Sequence, residues 1–131
     1  MTFLGLDYGR KRIGVALAEK TLATPLTVLA NNPQVTRKII SLYQKYRSHA
    51  IVLGISEGKM AQETREFAKL LKAHLKAPLY LHDETLTSYE ANLKLLHHKK
   101  SKRRKPQDAY QAALMLQDFL DTHPKIKPML E

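Results

Sequence analysis

Ile51-Val52-Leu53-Gly54 is an unbroken apolar run without in-out alternation. A strand of this kind must be covered on both faces, the condition of a parallel strand inside a layered α/β fold. Both flanks agree. Upstream, Val35, Ile39, Leu42, Tyr43 and Tyr46 recur at helical spacing after Asn32-Pro33, an N-cap followed by a first-turn proline. Downstream, a second helix is expected from about Met60 to Lys76, with Phe67, Leu71 and Leu75 on one face, broken by Pro78. Leu79 to His82 then reads as another strand.

The remaining segments complete the order. Phe3 to Tyr8 reads as a strand, Gly9 to Lys11 as a tight turn, Arg12 to Ala18 as a second strand and Leu26 to Ala30 as a third. Thr87-Ser88-Tyr89-Glu90 fits a capping box and opens a helix ending near His97-His98. A last helix runs from roughly Gln107 to Asp121, with Ala109, Ala112, Ala113, Leu116 and Leu120 inward. Pro124 and Pro128 mark a loose tail from about residue 122. The expected order is β-β-β-α-β-α-β-α-α. It describes a mixed five-stranded sheet in a three-layer α/β domain, with helices on both faces. Residues 1–131 form a single domain in this reading, without an internal repeat.

With 44% hydrophobic and 26% charged residues, the chain can fill one core. The absence of cysteine excludes disulfides, thiolate metal sites and cysteine nucleophiles, and suits a reducing cytoplasm. No apolar run is long enough to cross a bilayer, and Asp7 interrupts the N-terminal stretch that a signal peptide would need. The net charge of +10 is unevenly placed. Arg10, Lys11 and Arg12 form one cluster, and Lys99, Lys100, Lys102, Arg103, Arg104 and Lys105 form another. Outside these nine, 13 basic residues nearly balance 12 acidic ones. Two short segments thus carry almost all the excess. A polyanion is the expected partner, nucleic acid before membrane, because neither segment is amphipathic with large apolar residues. Either cluster taken singly is as well explained as a solubilising loop.

Ligands of open α/β sheets collect beyond the carboxyl ends of the strands. Asp7 ends the first strand and by alternation shares a face with Phe3 and Gly5. A carboxylate in such a setting is costly unless paired, hydrogen-bonded or metal-bound; alone, it also reads as a turn-forming Asp beside Gly9. Asp83 and Glu84 follow the fifth strand, and Asp108 lies in the first turn of the last helix. There the helix dipole accounts for acids without any site. Jointly, acids gathered at one sheet edge suit a divalent-cation centre, Mg²⁺ or Mn²⁺, for phosphodiester hydrolysis. Alternation by itself does not choose between Asp83 and Glu84.

These residues resemble the YqgF/RuvX-type family of the ribonuclease H-like superfamily. GLDYGRKRIGVALAE (Gly5 to Glu19) is similar to the family's opening G-L-D-x-G-x-K-R-I-G-V-A. VLGIS (Val52 to Ser56), including Gly54, is similar to V-V-G-L-P. HDETLTSYEA (His82 to Ala91) resembles D-E-R-L-T-[ST]-x-E-A. QDAYQAALMLQDFL (Gln107 to Leu120) resembles the family's last helix. Family members are described as Holliday junction resolvases and as nucleases maturing the 5′ end of pre-16S ribosomal RNA. The resemblance implies Asp7, Glu84 and Asp108 as catalytic metal ligands, two Mg²⁺ or Mn²⁺ ions, and Arg10, Lys11 and Arg12 near the phosphates. Asp83, Gly9, Gly54 and Thr87 take supporting places. Three departures bear on substrate orientation and groove shape: Thr85 stands where the family has Arg, Ser56 where it has Pro, and the Glu57 to Met60 loop is short.

The expected function is therefore a metal-dependent, cytoplasmic endonuclease of pre-16S rRNA 5′-end maturation, with structured RNA and pre-ribosomal particles as partners. A resolvase of branched DNA is the alternative, and a non-catalytic RNA-binding module a further one. A sugar-kinase-type ATPase shares D-x-G after its first strand but needs two such domains. His97 and His98 read as helix-end residues of the basic patch. Tyr8 reads as packing on the adjacent helix, with base stacking as the alternative.

Overall fold

The computed structural model describes residues 1–55, 58–83 and 107–123. Among them, five strands form one sheet: β1 (Thr2–Asp7), β2 (Arg12–Glu19), β3 (Leu22–Ala30), β4 (Ala50–Ile55) and β5 (Leu79–Asp83). The described helices are α1 (Val35–Lys45), α2 (Lys59–His74) and α3 (Gln107–Thr122). The expected helix from Thr87 to His98 lies outside the described residues. So do Ser56, Glu57, Glu84, Thr85, the basic segment Lys99 to Lys105, and the tail beyond His123.

The sheet order is β3-β2-β1-β4-β5. Short turns make β1–β2 and β2–β3 antiparallel, and the helical crossovers α1 and α2 make β1–β4 and β4–β5 parallel. β4 lies between β1 and β5, and all six of its residues are buried, as its unbroken apolar run requires. The three parallel strands end together: Asp7 is level with Gly54, and Gly54 with His82.

Alternation splits the core in two. Phe3, Ala16, Ala18, Ala50 and Val52 face α3, meeting Ala112, Met115, Leu116 and Phe119. Leu4, Leu6, Ile13, Val15, Ile51 and Leu53 face α1 and α2, meeting Val35, Ile39, Phe67 and Leu71. The layers are those expected: helix, mixed five-stranded sheet, helix.

Two local expectations are corrected. β3 begins at Leu22, not Leu26, and runs through Pro25. It can do so because β3 is an edge strand, where a missing N–H leaves no ladder partner wanting, and because the register shifts opposite Val15 and Ala16, leaving Leu26 as the extra residue. α1 begins at Val35, not at Pro33. Asn32 instead folds a local turn, its Oδ1 accepting the Gln34 N–H at 3.0 Å and its carbonyl accepting the Val35 N–H at 3.0 Å.

Candidate active site

Asp7 closes β1, half-buried, on the parity of Phe3 and Gly5, which is the face of α3. Its register partner on β2 is Gly14. A Cβ on Gly14 would lie 2.0 Å from the Asp108 carbonyl oxygen and 2.4 Å from its carbonyl carbon, so hydrogen alone fits there. Gly5 is similarly tight, its virtual Cβ 2.9 Å from the Leu116 Cβ. The glycines of β1 and β2 therefore let α3 rest directly on the strands. The contact at Gly14 seats the first turn of α3, with Asp108, against the register neighbour of Asp7. Two of the three sequence-nominated acids are thus brought to the same face and the same edge of the sheet.

Asp83 is placed differently. Tyr80 packs into the core on the α3 side and Leu79 into the core on the other. By alternation Asp83 shares the parity of Leu79, away from Asp7, and it is exposed. Gly54 sits beside Asp7 on β4, and Gly9 lies where a Cβ would come within 2.5 Å of the Arg12 carbonyl oxygen.

The basic turn is engaged with acids. Arg12 Nε lies 3.1 Å from Asp108 Oδ2. Arg10 forms a two-nitrogen clamp on Glu63 of α2, with Nε donating to Oε2 at 2.9 Å and Nη2 donating to the same oxygen at 2.6 Å. Arg10's hydrogen bond holds the Glu63 carboxyl below its ordinary range, and Glu63 raises Arg10 in return. Lys11 is exposed between them. Tyr8 packs on Phe67 of α2, ring centroids 5.0 Å apart, as expected for its structural reading.

Sequence reasoning missed a buried polar pair at the same edge. His82 Nε2 donates to Asp118 Oδ2 at 2.7 Å, with side chains only 10% and 15% exposed. The His82 ring also meets the edge of Phe119 at 5.6 Å. The available signal was parity: His82 alternates with Tyr80 onto the α3 side. Glu63 was missed as well, because a charged residue on an amphipathic helix gives no sign of its partner. Among the described residues, no three His, Asp or Glu side chains gather to hold a metal. Asp7 and Asp108 are two of the nominated ligands, and Glu84 lies outside the described residues.

A mixed sheet of order β3-β2-β1-β4-β5 between helical layers defines the ribonuclease H-like fold, and solved structures agree on it. Thermus thermophilus RuvC in complex with a Holliday junction substrate superposes with a TM-score of 0.60 at 15% identity, over 93% of this chain and 95% of that one. The fowlpox virus Holliday junction resolvase gives 0.60 at 12%, over 93% and 99%. The profile of the family described as "RuvX: Holliday junction resolvase" matches residues 1–122, and the chain belongs to that family. Its sequence relatives include a protein of Sulfurihydrogenibium sp. (strain YO3AOP1), 38% identical over 90% of this chain and 88% of that one. Another, of Pseudomonas savastanoi pv. phaseolicola, is 34% identical over 94% and 93%. Both carry the name "Putative pre-16S rRNA nuclease".

Proposed function

We propose that this nuclease hydrolyses phosphodiesters of structured RNA in a metal-dependent reaction, as a 5′-end maturation enzyme of pre-16S rRNA acting on pre-ribosomal particles in the cytoplasm. The observation that carries the site is the seating of Asp108 against Gly14, the register neighbour of Asp7. Relatives at 34–38% identity, matched over 88–93% of their own length and named for rRNA, favour this substrate over branched DNA. The two resolvases, one of them in complex with a junction, support the fold at 15% identity or less.

The donor set fits a hard divalent cation. Asp7 and Asp108 offer carboxylate oxygens, and Asp108 already draws a cationic group, the Arg12 guanidinium, to 3.1 Å. Asp7, Glu84 and Asp108 would hold Mg²⁺ or Mn²⁺, two ions in this reading, which supply activation of water and stabilisation of the departing oxygen. Glu84 is preferred to Asp83 because the family resemblance assigns it, and because Asp83 faces away from Asp7 by strand parity. Arg12, once released from Asp108, and Lys11 are assigned to the flanking phosphates. Gly9 and Gly54 leave room at the edge, while Asp83 and Thr87 support the segment that bears Glu84. Lys99, Lys100, Lys102, Arg103, Arg104 and Lys105 hold the backbone without reading sequence, since that segment has no aromatic residue for stacking. No helix among the described residues is long and apolar enough to cross a membrane.

The test is a cleavage panel in Mg²⁺, Mn²⁺ or EDTA, with a precursor-rRNA-like substrate, single-stranded RNA and a four-way DNA junction. Metal-dependent cutting confined to the rRNA substrate is expected. Cutting confined to the junction transfers the assignment to branched DNA, and binding without cutting under any metal overturns the nuclease site.

A further inference from the structure

Beyond the end of β1 the chain turns Tyr8 toward α2, away from the face of Asp7. A cavity of about 350 Å³ opens there, lined by Tyr8, Phe67, Asn31, Asn32, Glu66 and Leu70 among others. Leu70 is 49% exposed at its rim, a large apolar side chain that the core leaves uncovered. Tyr8 directly follows Asp7, so the cavity lies one residue from the proposed reaction centre.

Its polar groups are sorted by the bonds they already make. Asn31 Nδ2 donates to the Gly9 carbonyl at 2.8 Å, which leaves Oδ1 as an acceptor. Asn32 Oδ1 accepts from Gln34 N–H, which leaves Nδ2 as a donor. The neighbouring Glu63 is taken up by Arg10. Glu66 receives only the Gln62 amide, at 3.4 Å, so its carboxylate retains most of its accepting capacity. An aromatic surface, a carboxylate, an amide acceptor and an amide donor remain. With Glu63 neutralised by Arg10, the Glu66 carboxylate is the uncompensated charge of the lining, and it favours a hydrogen-bond donor over a phosphate.

Unpaired bases splayed from a strand stack on aromatic side chains and are read along their Watson–Crick edges. Guanine alone among the four presents two adjacent donors, N1–H and N2–H₂, which suit the two oxygens of a carboxylate, next to an acceptor, O6, which suits an amide N–H. We propose that this cavity seats an unstacked guanine of the RNA strand held at the sheet edge, stacked against Tyr8 and read by Glu66 and Asn32, and so determines where the strand is cut. The assignment of cutting rests on the nuclease reading above; the recognition of the base does not.

The experiment uses the full chain and short single-stranded RNAs that differ at one position, guanine, inosine (which lacks the 2-amino group) or adenine. Cleavage is mapped in Mg²⁺ or Mn²⁺, and binding is measured by fluorescence anisotropy with the Asp7→Asn protein. Guanine is expected to be favoured over inosine and adenine by roughly 5- to 150-fold, the range of a good bidentate pair. Cleavage should fall at a fixed distance from it. Glu66→Gln, an exposed substitution, should erase the preference, costing the guanine RNA most, the inosine RNA (which keeps N1–H) less, and the adenine RNA least. Asn32→Asp, which keeps the acceptor for Gln34 N–H, should weaken guanine most. Cutting that ignores the base, or a Glu66→Gln effect equal on all three RNAs, overturns the cavity assignment and leaves the nuclease intact. A guanine preference in binding that Glu66→Gln removes, with no cutting under any metal, sustains the cavity and defeats the nuclease reading.

Discussion

On the α3 side of the sheet, glycines let the helix touch the strands, and Phe119 meets Phe3, Tyr80 and His82 at 6.3, 5.6 and 5.6 Å between ring centroids. On the side of α1 and α2, the same strands carry a core of branched aliphatics, but its margins open into cavities of about 500 Å³ and 350 Å³. The larger lies between β3 and α1, walled by Leu26, Leu29, Leu42 and Tyr46 and rimmed by Arg37, Lys38 and Lys45. The face packed on glycines carries Asp7 and Asp108, and positioning tolerates little slack. The open face has room for ligands, and room costs packing. The proposed reaction centre and the proposed base cavity thus lie on opposite sides of one sheet.

The widest gap between the faces should appear on truncation. Phe119→Ala is expected to cost about 3–5 kcal/mol in urea denaturation, the usual range for a buried Phe. Leu42→Ala, in the wall of the larger cavity, should cost only about 1 kcal/mol. Equal losses would break the comparison. Next comes Asp7→Asn, an amide of the same size. Cleavage should fall more than about 100-fold, beyond the range typical of a metal ligand's outer partners, while the urea midpoint stays or rises. A collapse of stability instead would make Asp7 a structural residue.

Gly14→Ala tests the seating of α3. The added methyl must displace the Asp108 backbone, so a loss of about 1–3 kcal/mol is expected, together with reduced cleavage from a displaced Asp108. Full activity would show that the contact does not position the site. The smallest effect belongs to the exposed Arg10–Glu63 clamp. Arg10 keeps the Glu63 carboxyl below its ordinary value of about 4.5 in the folded chain. The unfolded chain therefore binds the proton first as acid is added. The clamp's contribution is present above that value and is lost as pH falls through the depressed one. Glu63→Gln should then be slightly less stable than the parent at neutral pH and match it in stronger acid. A difference that grows in acid would refute the sign.

Much of this architecture is legible in local pattern. The β4 run, the β1–β2 turn and the inward face of α3 announce themselves through period and punctuation. β3 is less legible because Pro25 interrupts it, and only its edge position and bulge make that residue tolerable. Gly14 reads as a weak point in a strand until a helix backbone is found against it. Arg10 and Glu63 are 53 residues apart, and no local rule pairs them. The choice between Asp83 and Glu84 is open in the sequence because parity has no meaning until the layers are assigned to faces.

The irregularity of β3 bears on how copies of this chain meet. An edge strand of nine residues at a sheet margin is a template for another chain's backbone. Pro25 has no N–H to offer, and the doubled residue at Leu26 throws the spacing out of step. The Gln117 side chain already takes the Ala23 N–H at 2.9 Å, so an incoming strand finds only the short stretch Thr27 to Ala30. The bend that let β3 pass over its own proline also guards a crowded, freshly made chain against self-templated aggregation.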